Sequence, residues 1–214
     1  MSVVQALYHK ESEDKSMNIN DYLDIIFFIL NRILDFTKDS EEKTPSIFDH
    51  YHNHNQDNDK DSLSTSYSDS SNSDSDICCE LDKYDIEDFI IQTYQKLGFT
   101  SNLLILSMMN LDKLLSKKFV LTELNVHKVF FICMMETQKY YDDVNFKNKD
   151  YAKSCGISTK ELLRLEIEFM KYMDFNIHIK DEDYLEYKKN LQNLYKSNII
   201  IRNEYIENGD DDSC

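Results

Sequence analysis

Apolar side chains recur at three- and four-residue spacings along much of this chain, which is the period of an amphipathic helix. The first such stretch covers residues 20–38. Asn20 or Asp21 is placed to cap its first turn, and Lys38 suits its last turn. The pattern therefore predicts a helix over residues 20–38, preceded by a flexible N-terminus over residues 1–19.

The same period returns after residue 82 with clear start and stop signals. Asp85 is placed as an N-cap and Gly98 as a C-terminal stop, while Ser158 and Glu161 have the spacing of a capping box. The helix opened by Asn125 is apolar almost all round, as expected of a helix in the middle of a bundle. The predicted helices are residues 86–97, 101–115, 125–139, 147–154, 158–174 and 182–195.

A polar stretch over residues 39–81 interrupts this pattern. Between residues 57 and 76 the chain is mostly Ser, Asp and Asn. Such a segment cannot bury enough apolar surface to offset its ordering entropy, so we predict an acidic, disordered insert. Its Ser-Asp repeats fit either a plain spacer or acceptor sites for an acid-directed kinase. A second acidic tail is predicted over residues 197–214.

Composition narrows the fold and the classes of partner. With 3 Gly and 1 Pro among 214 residues, the chain lacks the turn residues of sandwiches and barrels, which favours long helices. The formal net charge of −16 disfavours nucleic acid and anionic membrane as partners. Five cysteines without a disulfide spacing indicate reduced thiols in the cytoplasm or nucleus. The apolar runs of the chain, such as Ile25 to Leu30, are too short to span a bilayer.

Signals for enzymatic chemistry are weak. The histidines at 50, 52 and 54 alternate in a polar loop, which fixes no ligand geometry. His127 with Asp142 and Asp143 suggests a helical metal-dependent hydrolase, but these are too few ligands for a metal. The chain has no Gly-rich phosphate loop and is not expected to be a kinase itself. We therefore expect no catalytic residue, metal or cofactor.

Four stretches carry motif residues in register. Residues 84–89 enter the first helix after the insert, residues 111–114 read Leu-Asp-Lys-Leu, and residues 124–129 read Leu-Asn-Val-His-Lys-Val. Residues 139–169 are the most specific, with Lys-Tyr-Tyr-Asp-Asp, Tyr-Ala-Lys, Gly-Ile-Ser and Glu-Leu in order. On these motifs, residues 86–190 resemble a cyclin box, and more narrowly that of the P/U-type cyclins related to the yeast phosphate-system cyclin.

The resemblance extends upstream and includes three departures. Residues 26–39 are similar to the helix that precedes the box in this family. The family's Arg in the first box helix falls at Gln92, its Gly-Gly pair is Cys155 and Gly156, and its His-Arg pair ends in Lys128.

The resemblance implies an all-α fold with a single five-helix cyclin box. An extra N-terminal helix precedes the box, a C-terminal helix follows it, and the acidic disordered insert lies between the N-terminal helix and the box. The expected organisation is a flexible N-terminus, N-terminal helix, insert, box with C-terminal helix, and acidic tail. Their bounds are residues 1–19, 20–38, 39–81, 82–196 and 197–214.

The function implied is that of a cyclin, a non-catalytic regulatory subunit that binds and activates a cyclin-dependent protein kinase in cell-cycle or nutrient-linked control. The expected partner is that kinase in a heterodimer, without nucleic acid, membrane or small-molecule substrate, in the cytoplasm or nucleus. The alternative is a kinase-independent cyclin-box adaptor or scaffold.

The resemblance also implies an interface with the kinase. Its centre is a polar pair, Lys139 and Glu166, and charges on such apolar helices are costly unless they are paired or at an interface. The further residues expected at the interface are Asp142, Asp143, Phe131 and Phe169.

Overall fold

The computed structural model describes residues 17–38, 48, 85–143 and 146–207, with side chains as far as residue 197. The regular secondary structure in these ranges consists of helices joined by turns and loops, which confirms the all-α prediction. No helix in the described ranges is both long and apolar enough to cross a membrane. The helices are α1 (Ile19–Lys38), α2 (Ile86–Leu97), α3 (Ser101–Ser116), α4 (Val126–Tyr141), α5 (Asn148–Cys155), α6 (Thr159–Tyr172) and α7 (Asp181–Glu207).

Helix α4 is the centre of the bundle. Every residue from Val126 to Gln138 is buried, and α2, α3, α5 and α6 all pack against this helix. A helix that is apolar on all sides must be covered on all sides, since each exposed face would leave apolar area in water. The five helices α2–α6 therefore form the predicted box around its third member.

Helices α1 and α7 pack against each other, and both also contact α3. The Tyr195 hydroxyl donates to Asp21 Oδ1 at 2.6 Å, and the buried Tyr184 hydroxyl donates to Asn102 Oδ1 at 2.6 Å. Helix α1 also buries Ile25, Ile26 and Leu30 in the common core. The N-terminal helix is therefore built into the same core as the box.

Helix α1 begins at Ile19, one residue before the predicted start, and its cap lies two residues before Asn20. Asn18 and Asp21 exchange hydrogen bonds: Asn18 N donates to Asp21 Oδ2 at 2.8 Å, and Asp21 N donates to Asn18 Oδ1 at 3.0 Å. This reciprocal arrangement is that of a capping box, with Asn18 as the cap and Asp21 as its third-position partner. Asn18 therefore takes the capping role predicted for Asn20 or Asp21.

The final helix is longer than the sequence pattern predicted. Helix α7 continues to Glu207, beyond the expected end at residue 195 and into the predicted tail. No Gly or Pro lies between Lys196 and Asn208, so the chain meets no helix-breaking residue until Gly209.

The predicted insert lies outside the described residues except for Phe48. The Phe48 ring is fully buried and meets Phe119 edge-on, with 5.7 Å between the ring centroids. This position of the expected insert therefore belongs to the core, because its aromatic ring finds apolar partners there.

Candidate functional site

Lys139 and Glu166 form an ion pair between the last turn of α4 and the middle of α6. The Lys139 Nζ lies 2.9 Å from Glu166 Oε1, and the two side chains are 21% and 22% exposed. The pair was expected from the resemblance, although 27 residues separate its members along the chain. Partial burial excludes most water while leaving an edge of the pair accessible to a partner.

Helix α5 holds both members of this pair in place. Asn148 Nδ2 donates to the second carboxylate oxygen of Glu166 at 3.1 Å. The Tyr151 ring lies beneath Lys139, with Nζ 5.6 Å from the ring centroid, and its hydroxyl donates to Gln138 Oε1 at 3.0 Å. The pair is therefore preorganised, since the surrounding contacts restrict both side chains before any partner arrives.

A second carboxylate, Glu136, lies one turn before Lys139 on α4. Its side chain is 7% exposed, and its Oε1 is 3.5 Å from Lys139 Nζ without forming a hydrogen bond. Burial, with a further contribution from the charge of Glu166, raises the pKa of Glu136 to about 7, while Lys139 acts in the opposite direction. Nothing in the sequence pattern had indicated a role for this residue.

Exposed apolar side chains adjoin both members of the ion pair in the sequence, and another lies in the turn after α6. Tyr140 follows Lys139, Ile167 follows Glu166, and Phe175 ends the turn after α6; all three are exposed. The Tyr140 ring lies 6.3 Å from that of His178 in the segment that follows Phe175, so α4 and this segment present their side chains side by side. Exposed aromatic and aliphatic side chains in the same region as a charged pair are typical of a protein–protein interface.

The turn that carries Phe175 has an unusual backbone. Asp174 and Phe175 have φ angles of 50° and 55°, in the left-handed region where glycine is usual. The Phe175 N–H donates to Met170 O at 2.8 Å, which closes the end of α6. The turn therefore holds a 72% exposed ring in a conformation that bulky residues rarely adopt.

Two side chains fix the segment after this turn. Lys113 Nζ donates to the carbonyl oxygens of Asn176 and His178, at 3.4 and 2.7 Å. The Tyr141 hydroxyl accepts from Ile179 N at 2.7 Å. The segment is thus tied to both α3 and α4, which restrains the surface around Phe175.

The other residues expected at the interface fall into two groups. Asp142 is the C-cap residue of α4 and partly buried, and Asp143 next to it is exposed. Phe131 and Phe169 are both 0% exposed and lie in the core, where Phe131 packs near Phe89. Direct contact of these two rings with a partner is therefore excluded in this conformation, because other side chains of the same chain cover them.

Two of the departures from the family motifs have partners in the structure. The Lys128 side chain, 5% exposed, pairs with Glu161 Oε1 at 2.8 Å. Gln92 is partly exposed, and its Oε1 accepts from Lys96 Nζ at 3.5 Å. Asp112, which matches the family motif, accepts from the Tyr187 hydroxyl at 2.6 Å.

The alternative of a metal site finds no support in the described ranges, where no group of three His, Cys, Asp or Glu side chains is placed to hold an ion. His127 is buried, and its ring meets Phe89 edge-on at 5.4 Å. The histidines at 50, 52 and 54 lie outside the described residues.

Comparison with protein families matches residues 20–177 to the cyclin family. Three curated relatives illustrate the similarity. Cyclin-U2-1 of Arabidopsis thaliana is 26% identical over 104 residues, 48% of this chain and 47% of that protein. Cyclin-P1-1 of Oryza sativa subsp. japonica is 31% identical over 68 residues, which are 32% of this chain and 26% of that protein. The PHO85 cyclin-like protein psl1 of Schizosaccharomyces pombe is 35% identical over 74 residues, which are 35% of this chain and 30% of that protein.

The matched segment spans about half or less of each of these curated relatives. The family match covers well over half of the present chain, and includes α1 as well as the helices that carry Lys139 and Glu166.

Proposed function

We propose, from the premise that this chain belongs to the cyclin family and resembles its U- and P-type members, that it binds and activates a cyclin-dependent protein kinase. In this proposal the chain is a regulatory subunit without catalytic residues, working in the cytoplasm or nucleus. The observation that carries the proposal is the preorganised Lys139–Glu166 pair, with the exposed Tyr140 and Ile167 next to its members in the sequence and the exposed Phe175 in the turn after α6.

The pair supplies directional contacts. The ammonium of Lys139 has three N–H donors, and Glu166 accepts one of them at 2.9 Å. A donor that remains is suited to an acceptor of the kinase, such as a main-chain carbonyl. The charged contacts fix orientation, because they tolerate little displacement when water is excluded.

The apolar side chains supply most of the binding free energy. Burial of a large exposed side chain contributes about 1.5–3 kcal/mol, and a few such residues dominate most interfaces. Tyr140, Ile167 and Phe175 are placed to act in this way. Activation follows if this surface binds the active arrangement of the kinase more tightly than the inactive one, since a ligand shifts an equilibrium only through differential affinity.

The test begins with tagged protein purified from its own cells, followed by identification of any co-purifying kinase and a histone-kinase assay. The identified kinase is then expressed alone and titrated with the purified chain. Glu166→Lys is expected to weaken binding by about 2–5 kcal/mol, because reversal leaves two ammonium groups together in a covered site. Lys139→Ala is expected to reduce both binding and kinase activation.

Glu168→Lys is the matched control for the charge reversal. Glu168 lies on the same helix and pairs with Lys171 at 3.5 Å, where the Lys171 side chain is 61% exposed. A surface pair of this kind contributes little, so the control is expected to keep near-normal affinity. Equal affinity of Glu166→Lys and the wild type would contradict the placing of Glu166 at the kinase interface. A preparation without kinase would favour the kinase-independent adaptor.

A further inference from the structure

Glu136 is an acid inside a helix whose other buried residues are mostly apolar. It is the neighbour of Lys139 on the preceding turn, yet its Oε1 is buried and receives no hydrogen bond. A buried carboxylate oxygen with only an ammonium at 3.5 Å beside it is costly, because it has lost water without gaining a well-formed hydrogen bond. The position therefore needs an explanation beyond packing.

Glu136 belongs to a cluster of two carboxylates, its own and that of Glu166, and one ammonium, that of Lys139. On its own helix Glu136 faces Lys139 at 3.5 Å, and the Cys133 thiol is close enough for its pKa to respond to the charge of Glu136. The same ammonium lies 2.9 Å from Glu166 Oε1 on α6 and 5.6 Å from the centre of the Tyr151 ring on α5, which brings these two groups into the cluster. With both acids ionised, Lys139 neutralises only one of them, and the cluster carries one net negative charge.

Docking of a partner makes that net charge more costly. The Lys139 and Glu166 side chains are about one-fifth exposed in the chain by itself, and a covering surface would remove the remaining water. Desolvation penalises the charged form of a carboxyl group, whereas a protonated Glu136 leaves a neutral Lys139–Glu166 pair. With its pKa near 7, Glu136 can change protonation state at neutral pH at small cost.

We propose that Glu136 is a positioning residue for Lys139, and that binding of the kinase shifts its carboxyl group towards the protonated form, with the proton taken from solvent. When ionised, Glu136 competes with Glu166 for the ammonium. When protonated, it leaves Lys139 to Glu166 and the kinase acceptor. This inference rests on the proposed function and adds a proton linkage to the same site.

The first measurement uses the free wild-type chain. The Glu side-chain carboxyl carbons are followed by NMR against pH, and the signal missing in Glu136→Gln is assigned to Glu136. Its midpoint is expected near pH 7. Because the folded pKa is raised, the stabilisation from Glu136 is present below about pH 4.5 and is lost as the pH rises towards 7. Glu136→Gln is therefore expected to raise the thermal midpoint at about pH 8 and to change it little at about pH 4.5.

The second measurement titrates the kinase identified above at about pH 6 and about pH 8.5. The wild type is expected to bind about five- to tenfold more tightly at the lower pH, which corresponds to a further rise of up to about one pKa unit on binding. Glu136→Gln is expected to bind at both pH values with the affinity that the wild type shows at the lower pH. Glu168→Gln, altered at a half-buried position of the same helix that pairs with Lys171, is expected to keep the wild-type pH profile. Calorimetry in two buffers of different ionisation enthalpy would show the proton uptake directly.

The outcomes separate the two proposals. If no kinase co-purifies with the wild type, the proposed function is overturned, and the proton linkage with it. Kinase binding with superimposable pH profiles for the wild type and Glu136→Gln would overturn the linkage alone. Titration of Glu136 near pH 4.5 in the free chain would also overturn it, whatever the kinase does.

Discussion

Phe175 shows at the scale of a single residue how this surface is built. Its ring is largely in water, and its backbone has a φ angle of 55° next to another left-handed residue, Asp174. Neither feature stabilises the free chain: an exposed ring buries little area, and a left-handed non-glycine residue costs about 1–2 kcal/mol. Strain of this kind persists where the surroundings over-determine it, which is common at binding sites.

Replacement of Phe175 by glycine is expected to separate stability from binding. Phe175→Gly should raise the free energy of unfolding by up to about 1 kcal/mol, because glycine adopts the positive φ without strain. The same change should weaken kinase binding by about 2 kcal/mol or more through loss of the ring. Urea denaturation and kinase titration measure the two effects.

Asp174→Gly is the control for the backbone, since it relieves a similar φ angle but leaves the ring of Phe175 in place. Its carboxylate pairs with Lys117, a contact that is mostly exposed and contributes little. Equal kinase affinity of both glycine variants would show that the ring does not contact the kinase.

At the scale of the element, α6 is fixed to the central helix by its first turn as well as by Glu166. Ser158 caps the helix by accepting from Glu161 N at 3.1 Å, as the sequence predicted. The carboxylate of Glu161 contacts Lys128 of α4 at 2.8 Å. An acid expected to complete a capping box therefore serves a tertiary contact, because the nearly buried ammonium of Lys128 needs a counter-ion.

Loss of the Glu161 carboxylate is expected to destabilise the bundle. Glu161→Gln should lower the free energy of unfolding by about 1–3 kcal/mol, which is less than for a fully buried pair because Glu161 is 31% exposed. The double variant Lys128→Met/Glu161→Gln should recover much of that loss, since no unpaired charge remains. A double variant no more stable than Glu161→Gln in urea denaturation would contradict this reading of the pair.

At the scale of the whole molecule, charge is unevenly distributed along the chain. Residues 57–76 hold six Asp and one Lys, a net charge of −5 out of −16. The common core is built from helices on both sides of this segment in the sequence, α1 before it and α2–α7 after it. The long connection is tolerated because loop-closure entropy grows slowly with loop length.

Deletion of residues 55–76 is therefore expected to leave the fold intact. The helical circular-dichroism signal per molecule should be unchanged, and the thermal midpoint should move by no more than about 4 °C. Phe48 and its contact with Phe119 remain in this variant. A large loss of helical signal would show that the deleted residues contribute to the folded core.

Local sequence determined most of the helical architecture. The 3.6-residue period marks helices, and Gly98 and Gly156 mark their ends because the left-handed φ angles of 62° and 71° there suit glycine. The burial of α4 was also predicted, since a helix without a polar face has no side to turn to water. The roles of Lys139 and Glu166 came from resemblance to a family, and no local pattern joins residues so far apart.

Tertiary structure decided which apolar side chains are core and which are surface. Phe131 and Phe169 were expected at an interface and are buried, whereas Ile167 and Phe175 are exposed. A periodic pattern marks apolar positions, but only the packing of neighbouring helices determines which of them are covered. The same holds for Glu136, whose pKa depends on burial and on a carboxylate from another helix. Sequence thus determined the helices and most of their ends, although not the end of α7, while packing determined the exposed surface and the charge balance of the site.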